Sequence, residues 1–200
     1  MKNPFPDIGL IPSPEYLILS AIMKKYLLKS VGAVLLGALS GIAAGPKLCF
    51  EAETAGTIEQ PMAVYTNGVA GASGAYLEIP EGVGNPPKRN EGKAVYTVEI
   101  PADGAYTLWC RTWWNGECSN SFSIALDDQP PFLFGEDATY KTWHWVKYPV
   151  SRTVKPLNLT AGKHTLTFLN REDGVRLDQV LLSADKRFVP MDIEKPGVRK

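Results

Sequence analysis

Three groups of residues in this 200-residue chain have types and spacings that could do chemistry. The first is carboxylate: Glu51-Ala52-Glu53 near the start of the polar part of the chain, and Asp178 in the last strong apolar run. On an extended strand Glu51 and Glu53 share a side, roughly 7 Å apart, and hard oxygen pairs of this kind suit Ca²⁺. Glu-X-Glu on a solvated strand face is the plainer alternative. The second group is aromatic, with all five Trp between Trp109 and Trp145. Trp113-Trp114 runs straight into Asn115-Gly116-Glu117, which puts at least one ring at the mouth of a loop. Trp143-His144-Trp145 sets two rings on one strand face, behind Tyr140. Exposed rings are costly unless they meet a ligand, and indole faces stack on the apolar C–H faces of sugars. Trp109 and Trp145 read as structural, Trp114 and Trp143 as ligand-facing. The third group is thiol: Cys49, Cys110 and Cys118, an odd count.

Other chemistries find little support. The two His, His144 and His164, fall inside strand-like runs and not beside a candidate nucleophile, so a Ser-His-acid or Cys-His site is not indicated. The acid pairs Asp127-Asp128, Glu136-Asp137 and Glu172-Asp173 are sequence neighbours, whereas general acid and base must face each other across a substrate. No phosphate loop, zinc-ligand spacing or EF-hand pattern occurs. The chain therefore reads as non-catalytic. Lys plus Arg and Asp plus Glu are 21 each, so no positive field exists to capture nucleic acid.

The elements that position these residues begin with an export signal. Lys24, Lys25 and Lys29 precede an uncharged run from Ser30 to Ala44 that ends in small residues, which is the layout of a cleaved signal peptide. The run is shorter than the roughly 20 residues a spanning helix needs. Residues 23–44 are thus the expected signal, with Met23 as the start and residues 1–22 an upstream extension. Cleavage after Ala43 or Ala44 leaves 156 residues with 17 basic and 19 acidic side chains, secreted or periplasmic, monomeric, and off the membrane. In that compartment Cys110 and Cys118 could form a disulfide that staples the Trp113-Trp114 loop; Cys110 as a small core hydrophobe is the alternative.

Past Ala44 a period of two dominates, broken by Gly, Pro, Asn and Asp clusters every eight to twelve residues. Strands are predicted over Phe50–Thr54, Ala75–Ile79, Ala94–Ile100, Ala105–Trp113, Ser121–Asp127, Thr142–Tyr148, Val154–Leu159, His164–Leu169 and Arg176–Ser183. Alternation assigns Tyr96, Val98, Ile100, Tyr106, Leu108, Cys110, Phe122, Ile124 and Leu126 to the core. Gly104 and Gly162 mark tight reversals that need positive φ. The fold class is all-β, a two-sheet β-sandwich of the jelly-roll type over residues 49–190, with residues 191–200 a flexible basic tail.

Five segments in order, Phe50-Glu51-Ala52-Glu53, Ala72-Ser73-Gly74-Ala75-Tyr76-Leu77, Gly104 to Trp109, Ala161 to Leu166 and Leu177-Asp178-Gln179-Val180-Leu181-Leu182, resemble the calcium-binding jelly-roll carbohydrate-binding modules of families 6 and 35, within the galactose-binding-like superfamily. The resemblance implies a structural Ca²⁺ held by Glu51, Glu53, a carbonyl near Ser73, and Asp178. It implies a polysaccharide or oligosaccharide ligand in a cleft at one rim, stacked on Trp113 or Trp114 beside Tyr140 and Trp143. A second surface is the concave sheet face carrying Trp109 and Arg111. Where the family often has an Asn before the Leu-Asp pair, this chain has Arg176; its fork of donors suits carboxylates, which points to an acidic sugar or a lost rim site. A salt-bridged turn at Arg171-Glu172-Asp173-Gly174 could also hold Arg176 back. A structural or adhesive domain of the same fold that binds a protein partner is the other expectation.

Overall fold

A computed structural model describes residues 44–66, 69–83, 92–149 and 156–199. The upstream extension and the expected signal up to residue 43 lie outside the described residues. No helix among the described residues is long and apolar enough to cross a membrane.

Thirteen strands make two antiparallel sheets: β1 (Lys47–Glu51), β2 (Thr57–Glu59), β3 (Ala63–Tyr65), β4 (Tyr76–Ile79), β5 (Lys93–Ile100), β6 (Gly104–Trp114), β7 (Ser121–Leu126), β8 (Phe132–Gly135), β9 (His144–Tyr148), β10 (Leu157–Leu159), β11 (Gly162–Leu169), β12 (Val175–Ser183) and β13 (Gly197–Arg199). The smaller sheet runs β2-β5-β11-β7-β8, and the larger has the path β10-β6-β12-β1-β13. In the larger sheet β9 also pairs with β6, and β4 lies between β12 and β3. On one edge β12 is paired to β6; on the other it is paired to β4 at its start and to β1 from Gln179 onward. The register with β6 slips between Leu177 and Gln179, so Asp178 occupies an irregularity at that handover. Bulges re-aim a side chain, and here the re-aimed group is the carboxylate marked in the sequence.

The inner faces follow the alternation. Tyr96, Val98 and Ile100 meet Tyr106, Leu108, Cys110, Phe122, Ile124, Leu166 and Phe168 in one buried cluster between the sheets. A strand occurs at each of the nine expected places, with Val154 and Lys155 of the Val154–Leu159 run lying outside the described residues. Four further strands, β2, β3, β8 and β13, are only three or four residues long, too short for a periodic signal. Phe50–Thr54 is not wholly extended: β1 ends at Glu51, and Ala52–Thr54 turns as a single 3-10 unit. Ala52 is fully buried, and Tyr96 donates its hydroxyl to the Ala52 carbonyl at 2.5 Å. The chain dips inward there, so Glu51 and Glu53 do not stand two apart on one strand face. Gly162 has φ 116° as expected, whereas Gly104 needs no positive φ and simply opens β6. Of the expected tail, the described residues 191–199 are not loose, because Gly197–Arg199 pairs with Lys47–Cys49.

No disulfide joins Cys110 to Cys118. Cys110 faces the core with no exposure, and β6 continues four residues beyond it to Trp114, a further ~13 Å of extended chain. The exposed Cys118 lies past that end, whereas a bridge needs Cα atoms within about 7 Å. Cys110 is the small core hydrophobe of the alternative.

His164 ties β11 to the β7–β8 turn. Its Nδ1 donates to Asp127 Oδ2 at 2.7 Å and its Nε2 to the Thr160 carbonyl at 2.9 Å. The Asp127 hydrogen bond raises the His164 pKa against the opposing effect of burial, helped by Thr160. Burial pushes the Asp127 carboxyl upward, but the Thr165 N–H and His164 outweigh it, and the net shift is down. A raised His contributes stability that is complete below its unfolded value of ~6.5 and lost as pH climbs through the folded value. The lowered Asp contributes above ~3.9 and fades as pH falls through its folded value. The pair therefore stabilises best between these limits. Thermal melts from pH 6 to pH 8.5 are expected to fall more steeply for the wild type than for Asp127→Asn, with a difference no larger than ~1 kcal/mol because Asp127 is partly exposed.

Candidate functional site

The outward face of the larger sheet gathers most of the residues singled out above. Strand pairing sets Glu78 on β4, Arg176 on β12 and Trp113 on β6 side by side. Arg176 Nη2 donates to Glu78 Oε1 at 2.9 Å, and its guanidinium lies 5.8 Å from the Trp113 ring centroid. Trp113 meets Trp143 edge to face at 5.8 Å, Trp143 meets Tyr76 at 5.5 Å, and Tyr76 stacks on Tyr65 at 6.2 Å. Arg111 stands 5.4 Å from the Trp143 ring. Trp113 and Trp143 are half-buried, so the patch is neither core nor an open flat surface. Such edge-to-face rings with cations above them hold one another's orientation. The indole Nε1 atoms of Trp113 and Trp143 and Arg176 Nε are buried donors with no partner among the described residues.

Three of the five expected ligand residues, Trp113, Trp143 and Arg176, thus come together. Trp114 does not. It points inward from β6 with no exposure, packs on Phe122 at 5.6 Å, and donates Nε1 to Asp137 Oδ2 at 3.1 Å. Adjacent strand residues face opposite ways, so a Trp-Trp pair on a half-buried strand supplies one core ring and one outer ring. Tyr140 is exposed but bridges to Trp114 at the rim. The turn at Arg171 is salt-bridged to Glu172 at 2.5 Å, yet Glu78 and not this turn restrains Arg176. The Trp109 and Arg111 face is no platform, because the two residues are only 8% and 7% exposed. Trp109 is sealed with Cys49 and Leu181, against Trp145 and Phe188.

Next to the patch lie the carboxylates. Asp178, fully buried, accepts from Arg111 Nη1 at 2.5 Å through Oδ2, and from both the Ser73 N–H and hydroxyl at 2.9 Å through Oδ1. The Ser73 hydroxyl lies 2.5 Å from Glu51 Oε2, and Gln179 Nε2 donates to Glu51 Oε1 at 2.9 Å. Ser73 thus bridges Glu51 and Asp178 through its hydroxyl, and its N–H, not a carbonyl, faces Asp178. Glu53 Oε2 is buried with no partner. Burial raises the Glu53 pKa against its own backbone N–H, and the charges of Glu51 and Asp178 raise it further. Three carboxylates stand near one guanidinium beside an unsatisfied oxygen, hard oxygens of the chemical kind Ca²⁺ takes. They do not close into a cage, however: among the described residues no three His, Cys, Asp or Glu stand at metal-holding spacing.

Glu78, Tyr65 and Tyr76 belong to the patch without any sequence signal. The Glu78–Arg176 contact spans 98 positions and exists only through the register of β4 on β12.

No protein-family model matches the chain, and no curated protein matches it. Solved structures do. The GH26-CBM35 β-(1,4)-mannanase of Podospora anserina matches at TM-score 0.55 and 20% identity over 76% of this chain and 30% of that one. A family 35 carbohydrate binding module from Clostridium thermocellum matches at 0.52 and 20% over 68% of this chain and 98% of that one. The exo-β-1,3-galactanase of Phanerochaete chrysosporium matches at 0.50 and 17% over 68% and 29%. The chain therefore spans less than a third of the two enzymes and nearly the whole of the isolated module. Its fold is the β-sandwich of the family 35 carbohydrate-binding modules.

Proposed function

We propose that this chain is an exported, non-catalytic module that binds a polysaccharide or oligosaccharide at the Trp113–Trp143–Arg176 patch. One observation carries the reading: two half-buried indoles held edge to face, with a guanidinium beside them, on the outer face of a carbohydrate-binding-module fold. Ring faces take the C–H side of a sugar, and the Arg176–Glu78 pair offers a donor and acceptors to its hydroxyls. Since Glu78 already balances the Arg176 charge at 2.9 Å, a neutral sugar suits the patch better than a uronate. Binding without bond cleavage fits the imidazoles, whose nitrogens are spent on Asp127 and Thr160 in His164 and on Asp137 and Thr142 in His144.

In the same reading Ca²⁺ is structural, held by Glu51, Glu53 and Asp178, where it would neutralise their charge. The Ser73 hydroxyl and Gln179 would keep Glu51 turned toward it. Calorimetric titration against neutral β-linked and uronate-containing oligosaccharides tests the ligand. Trp113→Ala is expected to weaken binding by ~2–12-fold, the value of one lost ring contact, with little change in melting temperature. Undiminished binding by both Trp113→Ala and Trp143→Ala would reject the patch.

A further inference from the structure

The segment after β12 crosses the outward face of the larger sheet as a strap that turns at Lys186–Arg187 and bends again at Asp192, where φ is 50°. Phe188 fills a slot with Trp145 against Cys49, Trp109 and Leu181, under the Lys47 ammonium at 4.4 Å. Beyond the buried Pro190, Trp145 Nε1 donates to the Asp192 carbonyl at 2.8 Å. The Gln179 amide then reads both main-chain groups of one residue, donating to the Glu194 carbonyl at 2.8 Å and accepting the Glu194 N–H at 2.9 Å. Last, β13 adds to the edge of β1. An apolar anchor, side-chain donors aimed at main chain, and strand addition are the elements by which folded domains recognise extended peptides.

We infer that this face is a peptide-binding groove filled in cis by residues 188–199, and that it takes the same segment from a second copy of the chain. The strap's other side does not help to hold it: Val189, Met191 and Ile193 are 63%, 74% and 49% exposed. Trp109 Nε1 is left buried and without a partner beneath it. The contacts of Phe188, Asp192, Glu194 and β13 with the groove are all non-covalent, and the connection through Lys186 and Arg187 is an exposed turn closed by the Phe188 N–H on the Asp185 carbonyl at 3.1 Å. A tethered segment competes at an effective concentration of about millimolar, so exchange between copies becomes appreciable as the chain concentration approaches that value. This inference does not depend on the sugar reading.

The three cysteines give the test its internal standards. Cys118 is exposed, Cys110 is sealed between the sheets, and Cys49 lies under the strap at 2% exposure. Site-resolved alkylation of the full chain, kept reduced, is expected to label Cys49 at least ~10-fold faster in Phe188→Ser than in wild type, with Cys110 still protected. A synthetic peptide of residues 185–200 at ~1 mM should restore most of the Cys49 protection, and the same peptide carrying Phe188→Ser should not. If Phe188→Ser also exposes Cys110, Trp145→Phe, which keeps a ring and loses the Nε1–H, carries the same readout. Cys49 labelling no faster than wild type in the folded variant, or no protection by the peptide, overturns the groove. Sedimentation of wild-type chain up to ~1 mM should show a dimer that Phe188→Ser abolishes; a monomer throughout, or a dimer that persists in the variant, overturns the exchange.

Discussion

Trp114→Ala is expected to destabilise the protein by ~3–5 kcal/mol, the range for truncating a fully buried large aromatic. The ring is sealed, packs on Phe122 at 5.6 Å and stands 6.1 Å from His144. Its loss would also remove the Nε1 bond to Asp137, whose carboxyl additionally faces His144 at 3.1 Å and accepts the Thr139 N–H at 2.8 Å. That carboxyl sits below its ordinary range although burial pushes it up, because Thr139, Trp114 and His144 together outweigh burial. A cavity and a weakened anchor for the β8–β9 loop therefore arise from one substitution. Urea titration measures the first effect, and Trp114→Phe, which keeps most of the volume, should recover more than half of it. Sugar binding by folded Trp114→Phe should be near wild type, while Trp113→Ala shows the opposite combination: normal stability and weak binding. A stable Trp114→Ala that has specifically lost binding would return the ligand role to Trp114.

That contrast shows where the sequence is legible and where it is not. Alternation along β6 is enough to say that Trp113 and Trp114 face opposite ways, and the even set Tyr106, Leu108, Cys110 fixes Trp114 inside. Reading the pair as the mouth of a loop hid this, because β6 runs to Trp114 itself. Sheet faces are thus local information, carried by a period of two. Lateral neighbours are not: Glu78 beside Arg176, or Ser73 between Glu51 and Asp178, depends on register between strands far apart in sequence. The motif Glu51-Ala52-Glu53 names two of the carboxylates, but their mutual geometry comes from a 3-10 turn forced by the burial of Ala52. The strap escaped notice for a third reason. Residues 188–199 are rich in charge and proline and have no inward pattern of their own, since the groove holds them largely by their main chain.

Asp178→Ala should be as damaging as any change outside the aromatic core, at ~3–5 kcal/mol, the cost of leaving a buried charge without its partner. The orphan would be Arg111, only 7% exposed, whose Nη2 keeps one bond to the Gly71 carbonyl at 2.9 Å. Ser73 would lose both of its bonds to Oδ1, freeing the segment that carries Gly71 to Ala75 from β12. Removing both charges together, as Arg111→Met with Asp178→Leu, should cost much less than Asp178→Ala alone, because no buried charge is then stranded. The same carboxylate decides the calcium question. If Glu51, Glu53 and Asp178 hold the ion, Ca²⁺ at ~100 times its dissociation constant adds about 2.7 kcal/mol to wild-type stability. Asp178→Asn would retain the shape and lose most of that gain, while Glu53→Gln would lose part of it and relieve the repulsion in the calcium-free protein. Glu53 therefore separates the alternatives by sign. With calcium bound, Glu53→Gln is destabilising; without it, the substitution removes one of three crowded charges and is neutral or stabilising. Melting curves of the two proteins in chelator and in millimolar Ca²⁺ would read this crossover directly, and curves that do not respond to calcium in the wild type would leave the carboxylates as a purely internal tie through Ser73 and Arg111.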